Sequence, residues 1–178
     1  AVKPDNVITV FAGADIEADH ERDQGGMSAL NVALFNNKLD MSHMLVARGA
    51  MITFPLAAGL GRMDLLETWF DQNGQLKPSA GENYWSPSQR PSGMPTQKDL
   101  DELLIAAFMH ACINGQIQAM EFLLDKGVDI DAHPQGFGGI AATGLHRASW
   151  FGHLDAVKFL VERGADLTIR DDVHSGTP

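Results

Sequence analysis

The chain has 178 residues, of which 44% are hydrophobic and 20% are charged, so we expect a folded domain rather than a disordered one. The formal net charge is −10, and no run of Lys and Arg offsets it, which argues against nucleic acid and anionic membrane surfaces as partners. No apolar run reaches the roughly 20 residues that span a bilayer. The one cysteine, Cys112, excludes an internal disulfide and fits a reducing compartment, so we expect a cytoplasmic protein, although a disulfide-free periplasmic protein also fits.

Short helical segments that end on glycine or asparagine recur along the chain. They predict one partial unit and four helical hairpins, at residues 1–18, 19–50, 51–73, 96–132 and 140–170. Glycine and asparagine accept the left-handed conformation that terminates a helix. The second helices are therefore predicted to end at Gly13, Gly49, Asn73, Gly127 and Gly164. Because two short helices cannot bury their apolar faces alone, we expect the units to stack on one another.

Residues 74–95 interrupt the repeats. This segment holds four prolines and three glycines, which preclude a long helix or a central strand, so we expect a loop. Its Tyr84 and Trp85 either offer aromatic contacts to a partner or pin the loop onto the stack. Directly after it, Thr96 is a predicted N-cap with an acidic residue three positions later, and the helix that it starts should run to about Asn114.

The unit at residues 140–170 carries the clearest motif. It opens with Thr143-Gly-Leu-His-Arg-Ala148, turns at Gly152-His153, and ends a second helix at Gly164-Ala-Asp166. This unit closely resembles the ankyrin repeat, with Gly144 standing where the family has proline. Degraded forms of the same motif recur at Ser28-Ala-Leu-Asn-Val-Ala33, Met44-Leu-Val-Ala-Arg-Gly-Ala50 and Phe122-Leu-Leu-Asp-Lys-Gly-Val-Asp-Ile-Asp-Ala132.

The resemblance implies an all-α solenoid of stacked helix–turn–helix repeats that binds proteins through its concave face and turn tips. Two of the four gaps between successive helix ends fit a repeat of about 33 residues. The gap that ends at Asn73 is shorter, and the following gap holds the insertion. We expect one monomeric domain over residues 1–178, with residues 171–178 entering a further repeat.

The resemblance also locates the partner-facing positions, which lie on each first helix just before the turn glycine. They are more apolar here than a solvated surface requires, and the candidates at these positions are Phe35, Asn36, Leu60, Ile113, Asn114, Trp150 and Phe151. Trp150 and Phe151 lead this set, because large aromatic residues are over-represented at binding hot spots. The alternative is that a neighbouring repeat or the loop at residues 74–95 covers them. Phe137, in a glycine-rich turn, either contacts a partner or packs against the adjacent turn.

The seven histidines and the cysteine do not predict a metal or catalytic site. By the resemblance, His146 and His153 bond backbone groups between repeats. His110 and Cys112 are two residues apart on a helix, so they point to different faces, whereas a zinc site needs three or four converging ligands. We expect Cys112 to be buried, and we expect no metal, no cofactor and no catalytic residue.

The sequence therefore predicts a protein–protein interaction module rather than an enzyme. It would serve as an adaptor, or as a regulatory or maturation partner of another protein. The alternative is a regulatory or substrate-recruiting domain of a longer enzyme whose catalytic part lies outside these residues. An enzyme within these residues is disfavoured, because the chain has no nucleophile elbow, phosphate-binding loop or dinucleotide fingerprint.

Overall fold

The computed structural model describes residues 28–81, 94–134 and 141–178. In these ranges the chain forms eight α-helices, which follow one another as four pairs. The pairs are α1 (Ala29–Phe35) with α2 (Leu39–Ala47), α3 (Phe54–Gly59) with α4 (Met63–Leu66), α5 (Gln97–Ile113) with α6 (Ile117–Asp125), and α7 (Gly144–Trp150) with α8 (Leu154–Glu162). The described residues contain no β-strand beyond an isolated bridge between Phe70 and Leu76. The predicted all-α architecture is confirmed.

The first helices of the pairs lie side by side. α3 packs most closely against α5, α5 packs against α7, and α1 contacts both α3 and α5. The second helices form another layer, in which α6 contacts α4 and α8. None of the helices in the described ranges has both the length and the apolar character needed to cross a bilayer.

The short helix α3 is buried along its whole length. Its small residues allow α5 to approach closely, as at Gly59. A Cβ added there would lie 3.2 Å from His110 Cβ and 3.3 Å from Asn114 Nδ2. A side chain at Gly59 would therefore crowd α5.

The ends of α5 agree with the sequence. The Thr96 hydroxyl accepts a hydrogen bond from the backbone N–H of Asp99, and the Asp99 carboxylate accepts one from the backbone N–H of Thr96 at 2.7 Å. Such a capping box satisfies backbone donors that the first turn leaves open. Asn114 is the C-cap, so both predicted ends of this helix are confirmed.

Three of the other predicted helix ends are also confirmed, and one is wrong. Gly49, Gly127 and Gly164 follow α2, α6 and α8 with φ of +95°, +91° and +91°. The helix that was expected to end at Asn73 stops earlier, since α4 ends at Leu66 and a short 3-10 helix, Glu67–Trp69, follows it. Gly13 lies outside the described residues.

Aromatic packing and a polar turn explain the early end of α4. The rings of Trp69 and Phe70 lie edge-on to Phe54, with centroids 5.7 and 5.9 Å away. The Asp71 carboxylate then accepts hydrogen bonds from the backbone N–H groups of Asn73 and Gln75 at 2.8 and 2.9 Å. Such local bonds offer the backbone an alternative to helix.

The first residues of the predicted insertion pack against the rest of the described chain. Leu76, Ala80 and Gly81 are buried, and Pro78–Gly81 form a single 3-10 turn that packs against α5. Tyr84 and Trp85 lie outside the described residues, and so does Phe137.

Candidate functional site

Trp150 ends α7 with 44% of its surface exposed, as expected of a partner-facing position. Phe151, the C-cap of the same helix, is half-buried. On α1, Phe35 is half-buried and Asn36 is exposed. These four of the predicted residues therefore retain accessible surface, and their role in binding stays a prediction.

A buried arginine joins the aromatic residues of α1 and α7. The guanidinium carbon of Arg147 lies 5.1 Å from the ring centroid of Trp150 and 5.5 Å from that of Phe35. Both distances are within the range of cation–π attraction. The His146 ring meets Trp150 edge-on at 6.0 Å between centroids. We call Phe35, Arg147 and Trp150 the aromatic edge.

Arg147 was not among the residues predicted from the sequence. It is only 4% exposed, and burial lowers the pKa of its guanidinium below the usual value. The signal that could have found it is the one Lys or Arg in the short helix Gly144–Trp150, since a buried cation requires compensating contacts. Its contacts with Phe35 and Trp150 tie the first described hairpin to the last.

The exposure expected for Leu60, Ile113 and Asn114 is wrong. These residues are 8%, 0% and 3% exposed. α1 reaches past α3 to contact α5, and Leu60 packs in one cluster with Leu30 and Leu34 of α1. The predicted partner-facing positions of α3 and α5 are therefore buried, whereas those of α1 and α7 remain accessible.

Asn114 forms a hydrogen-bonded bridge within this closed region. Its Nδ2 donates to the carbonyl oxygen of Leu34 at 3.0 Å and to that of His110 at 2.9 Å. The first bond crosses from α5 to the end of α1. Asn114 is thus an internal link between helices and not a surface contact.

The roles expected for two histidines are confirmed. His153 Nε2 donates to the carbonyl oxygen of Ile113 at 2.8 Å, which joins the α8 hairpin to the α5 hairpin. His146 Nδ1 lies 2.8 Å from the Thr143 hydroxyl, and its Nε2 donates to the carbonyl oxygen of Gly176 at 3.1 Å. Both side chains therefore bond backbone groups of a neighbouring unit.

The buried titratable groups of α5 are held neutral. His110 is 1% exposed, and burial, with a smaller contribution from the Arg147 charge, lowers its pKa to about 4. Cys112 is fully buried as predicted, and burial raises the pKa of its thiol. Among the residues that the structure describes, no three His, Cys, Asp or Glu side chains converge as metal ligands.

The acidic residues of the turn after α8 accept hydrogen bonds from backbone groups of this chain. The buried Asp171 carboxylate accepts hydrogen bonds from the backbone N–H groups of Val173, His174 and Gly176 at 3.0, 2.6 and 3.0 Å. These bonds lower the pKa of Asp171. Asp172 accepts from the backbone N–H of Ala141 at 2.8 Å, which fixes this turn beside the preceding one.

Comparison with known proteins places this arrangement in a family. Residues 94–171 match the family model for ankyrin repeats (3 copies). A stretch of 58 residues is 38% identical to the E3 ubiquitin-protein ligase hecd-1 of Caenorhabditis elegans, over 33% of this chain and 2% of that protein. A stretch of 74 residues is 35% identical to the palmitoyltransferase AKR1 of Lachancea kluyveri, over 41% of this chain and 10% of that protein. The matched segments therefore span a tenth or less of these relatives. Over residues 94–171, which include α5 to α8, the chain is a member of the ankyrin repeat family.

Proposed function

We propose that this chain is a non-catalytic protein-interaction module, which docks a protein partner on the aromatic edge together with Phe151 and Asn36. It would act as an adaptor, or as a regulatory or maturation partner. Membership of the ankyrin repeat family supports an interaction module in general. The proposal includes a monomeric state and a reducing compartment such as the cytoplasm.

The observation that carries the proposal is the environment of Trp150. A large ring that is 44% exposed lies against Arg147 and His146. Tryptophan and arginine are enriched at interface hot spots, and a ring that is already held in place loses little conformational entropy on binding. Trp150 therefore has both the apolar surface and the rigidity of an anchor.

The test uses three baits for crosslinked capture from a lysate, namely the wild-type chain, Trp150→Ala and the control Leu154→Ala. Leu154 is the better exposed residue, at 64%, but it belongs to α8 and makes no part of the aromatic edge. We expect one protein to be captured by the wild type and the control, with about 30-fold weaker binding to Trp150→Ala. Equal capture by all three baits, with matching thermal melts, would contradict the proposed surface.

A second candidate is a regulatory or substrate-recruiting domain of a longer enzyme. It is favoured by the printed names of the two relatives, a ligase and a palmitoyltransferase, of which the matched segments are small parts. An antibody against this chain would then detect a product much heavier than 19.3 kDa, and an enzymatic activity would co-purify with it. A product of about that mass without any co-purifying activity would favour the free-standing module.

A further inference from the structure

Trp150, the proposed anchor, contacts two residues of its own helix. The guanidinium carbon of Arg147 lies 5.1 Å from its ring centroid, and the His146 ring meets it edge-on at 6.0 Å. His146 precedes Trp150 by four residues, so the two side chains lie on the same face of α7. Because Trp150 is 44% exposed, these contacts restrict a ring that is otherwise open to solvent.

His146 is fixed through both nitrogens of its ring. The side chain is fully buried, its Nε2 donates to the Gly176 carbonyl oxygen at 3.1 Å, and its Nδ1 accepts from the Thr143 backbone N–H at 3.2 Å. Because a carbonyl oxygen only accepts, the proton lies on Nε2, and a rotation of the ring would break both bonds. The orientation of His146 therefore depends on where the Gly176 carbonyl lies.

The Gly176 carbonyl belongs to the turn at residues 171–176, which a single carboxylate closes. The backbone N–H of Asp171 donates to this carbonyl oxygen at 2.9 Å, and Asp171 Oδ2 accepts from the Gly176 N–H at 3.0 Å. Asp171 Oδ1 accepts from two further N–H groups of the turn. The buried Asp171 thus holds in place the group that His146 binds.

We infer that His146 is a positioning residue, which couples the closed turn at residues 171–176 to the orientation of Trp150. The contacts run from Asp171 through the Gly176 carbonyl to the His146 ring and on to the indole. The benefit for binding rests on the proposed function, because a ring that is held in one orientation loses less conformational entropy when a partner covers it. Opening of the turn would keep the apolar surface of Trp150 but reduce its rigidity.

Substitutions in the turn test this coupling. Asp171→Asn retains the oxygen that accepts two N–H groups, whereas the amide nitrogen in place of Oδ2 cannot accept from the Gly176 N–H. Gly176→Ala is a milder second variant, since its Cβ would lie 3.2 Å from Asp171 Oδ2. Asp166→Ala is the matched control, because the Asp166 carboxylate accepts from the backbone N–H and hydroxyl of Thr168 and not from the turn that His146 binds.

Fluorine NMR of chains made with fluorinated tryptophan reports on the ring directly. The chain has three tryptophans, and the resonance that is missing in Trp150→Phe assigns Trp150. In folded Asp171→Asn and Gly176→Ala, we expect this resonance to shift toward its position in the unfolded chain, while the Trp69 resonance stays in place. Asp166→Ala should shift neither resonance. A loss of stability alone does not shift the Trp150 resonance as long as circular dichroism shows the variant to be folded.

His146→Phe shows whether the effect passes through this residue. Phenylalanine retains a ring beside Trp150 but cannot bond to Gly176. The Trp150 resonance should shift in this variant too, and adding Asp171→Asn should shift it no further, which is the non-additivity expected of residues in one series of contacts. A further shift of full size would overturn the role of His146.

An unchanged Trp150 resonance in both turn variants would overturn the coupling, and so would an equal shift in Asp166→Ala. With the captured partner, the turn variants should bind about two- to tenfold more weakly, which is the cost of ordering one side chain. The resonance requires no partner, so its failure leaves the capture test of the aromatic edge intact. A shifted resonance together with capture that is unaffected by Trp150→Ala would contradict the proposed surface and not the positioning role.

Discussion

Gly144 stands where the ankyrin family has proline, and its surroundings explain the difference. A Cβ at this position would lie 2.7 Å from Cys112 Sγ and 2.9 Å from Phe108 Cε1, both fully buried on α5. We predict that Gly144→Ala destabilises the chain by about 1–3 kcal/mol through overpacking, although alanine is the better helix former. Urea unfolding monitored by circular dichroism measures the change.

A double-mutant cycle with Cys112→Ala identifies the cause of that loss. Removing Sγ opens the space that the new methyl group needs, so the paired substitution should be less destabilising than the two single costs together. Strictly additive costs would show that backbone changes at the start of α7, and not the contact with Cys112, are responsible.

His110 predicts a pH dependence of stability. Its pKa is lowered from the usual histidine value of 6.5 to about 4 in the folded chain. The main cause is burial, which disfavours the imidazolium, and the charge of Arg147 adds a smaller effect. Between these values the unfolded chain binds more protons than the folded one, so stability falls as the pH falls. From about pH 7.5 to about pH 5, this group should remove about 2 kcal/mol.

His110→Gln provides the comparison, since the glutamine side chain does not titrate. Urea unfolding measures the free energy of unfolding at the two pH values. The wild type should lose about 2 kcal/mol more than the variant between them. The lowered carboxyl pKa values, such as that of Asp171, act below this window and affect both proteins equally. The same pH dependence in both proteins would mean that the pKa of His110 is not lowered in the folded state.

At the scale of the element, α5 shows how much local sequence can specify. Thr96 and Asp99 supply both halves of its capping box, and we predict that Thr96→Ala destabilises the chain by about 1 kcal/mol. Thr96→Ser retains a hydroxyl acceptor and should lose much less, which separates the cap from other effects of the substitution. Chemical unfolding of the two variants against the wild type measures both, and equal losses would contradict a capping role for the hydroxyl.

The features that the sequence did not predict depend on contacts between distant elements. α4 ends early partly because the Asp71 carboxylate forms a local polar turn, and partly because Trp69 and Phe70 pack on Phe54. No short-range pattern around Asn73 encodes that aromatic packing. Leu60 is buried because it packs with Leu30 and Leu34 of α1, which belongs to another hairpin. The exposure of these motif positions therefore depends on which neighbouring helices pack on them.

At the scale of the whole molecule, two repeats can be compared at the same position of their second helices, Ile117 of α6 and Leu154 of α8. Aligning the helix ends at Gly127 and Gly164 matches Ile117 of α6 with Leu154 of α8. Ile117 is partly buried against the larger cluster, whereas Leu154 is 64% exposed. These equivalent positions therefore differ in how far the described residues bury them.

The difference in burial predicts a difference in stability. Ile117→Ala should destabilise the chain by about 2 kcal/mol, because it removes packed methyl groups, while Leu154→Ala should cost less than about 0.5 kcal/mol. Urea unfolding of both variants at two protein concentrations measures these costs. A cost for Leu154→Ala that approached that of Ile117→Ala and grew with concentration would mean that this face is covered by a second molecule in solution. The monomeric state included in the proposed function would then be wrong. The aromatic edge with Trp150 would remain available to a partner.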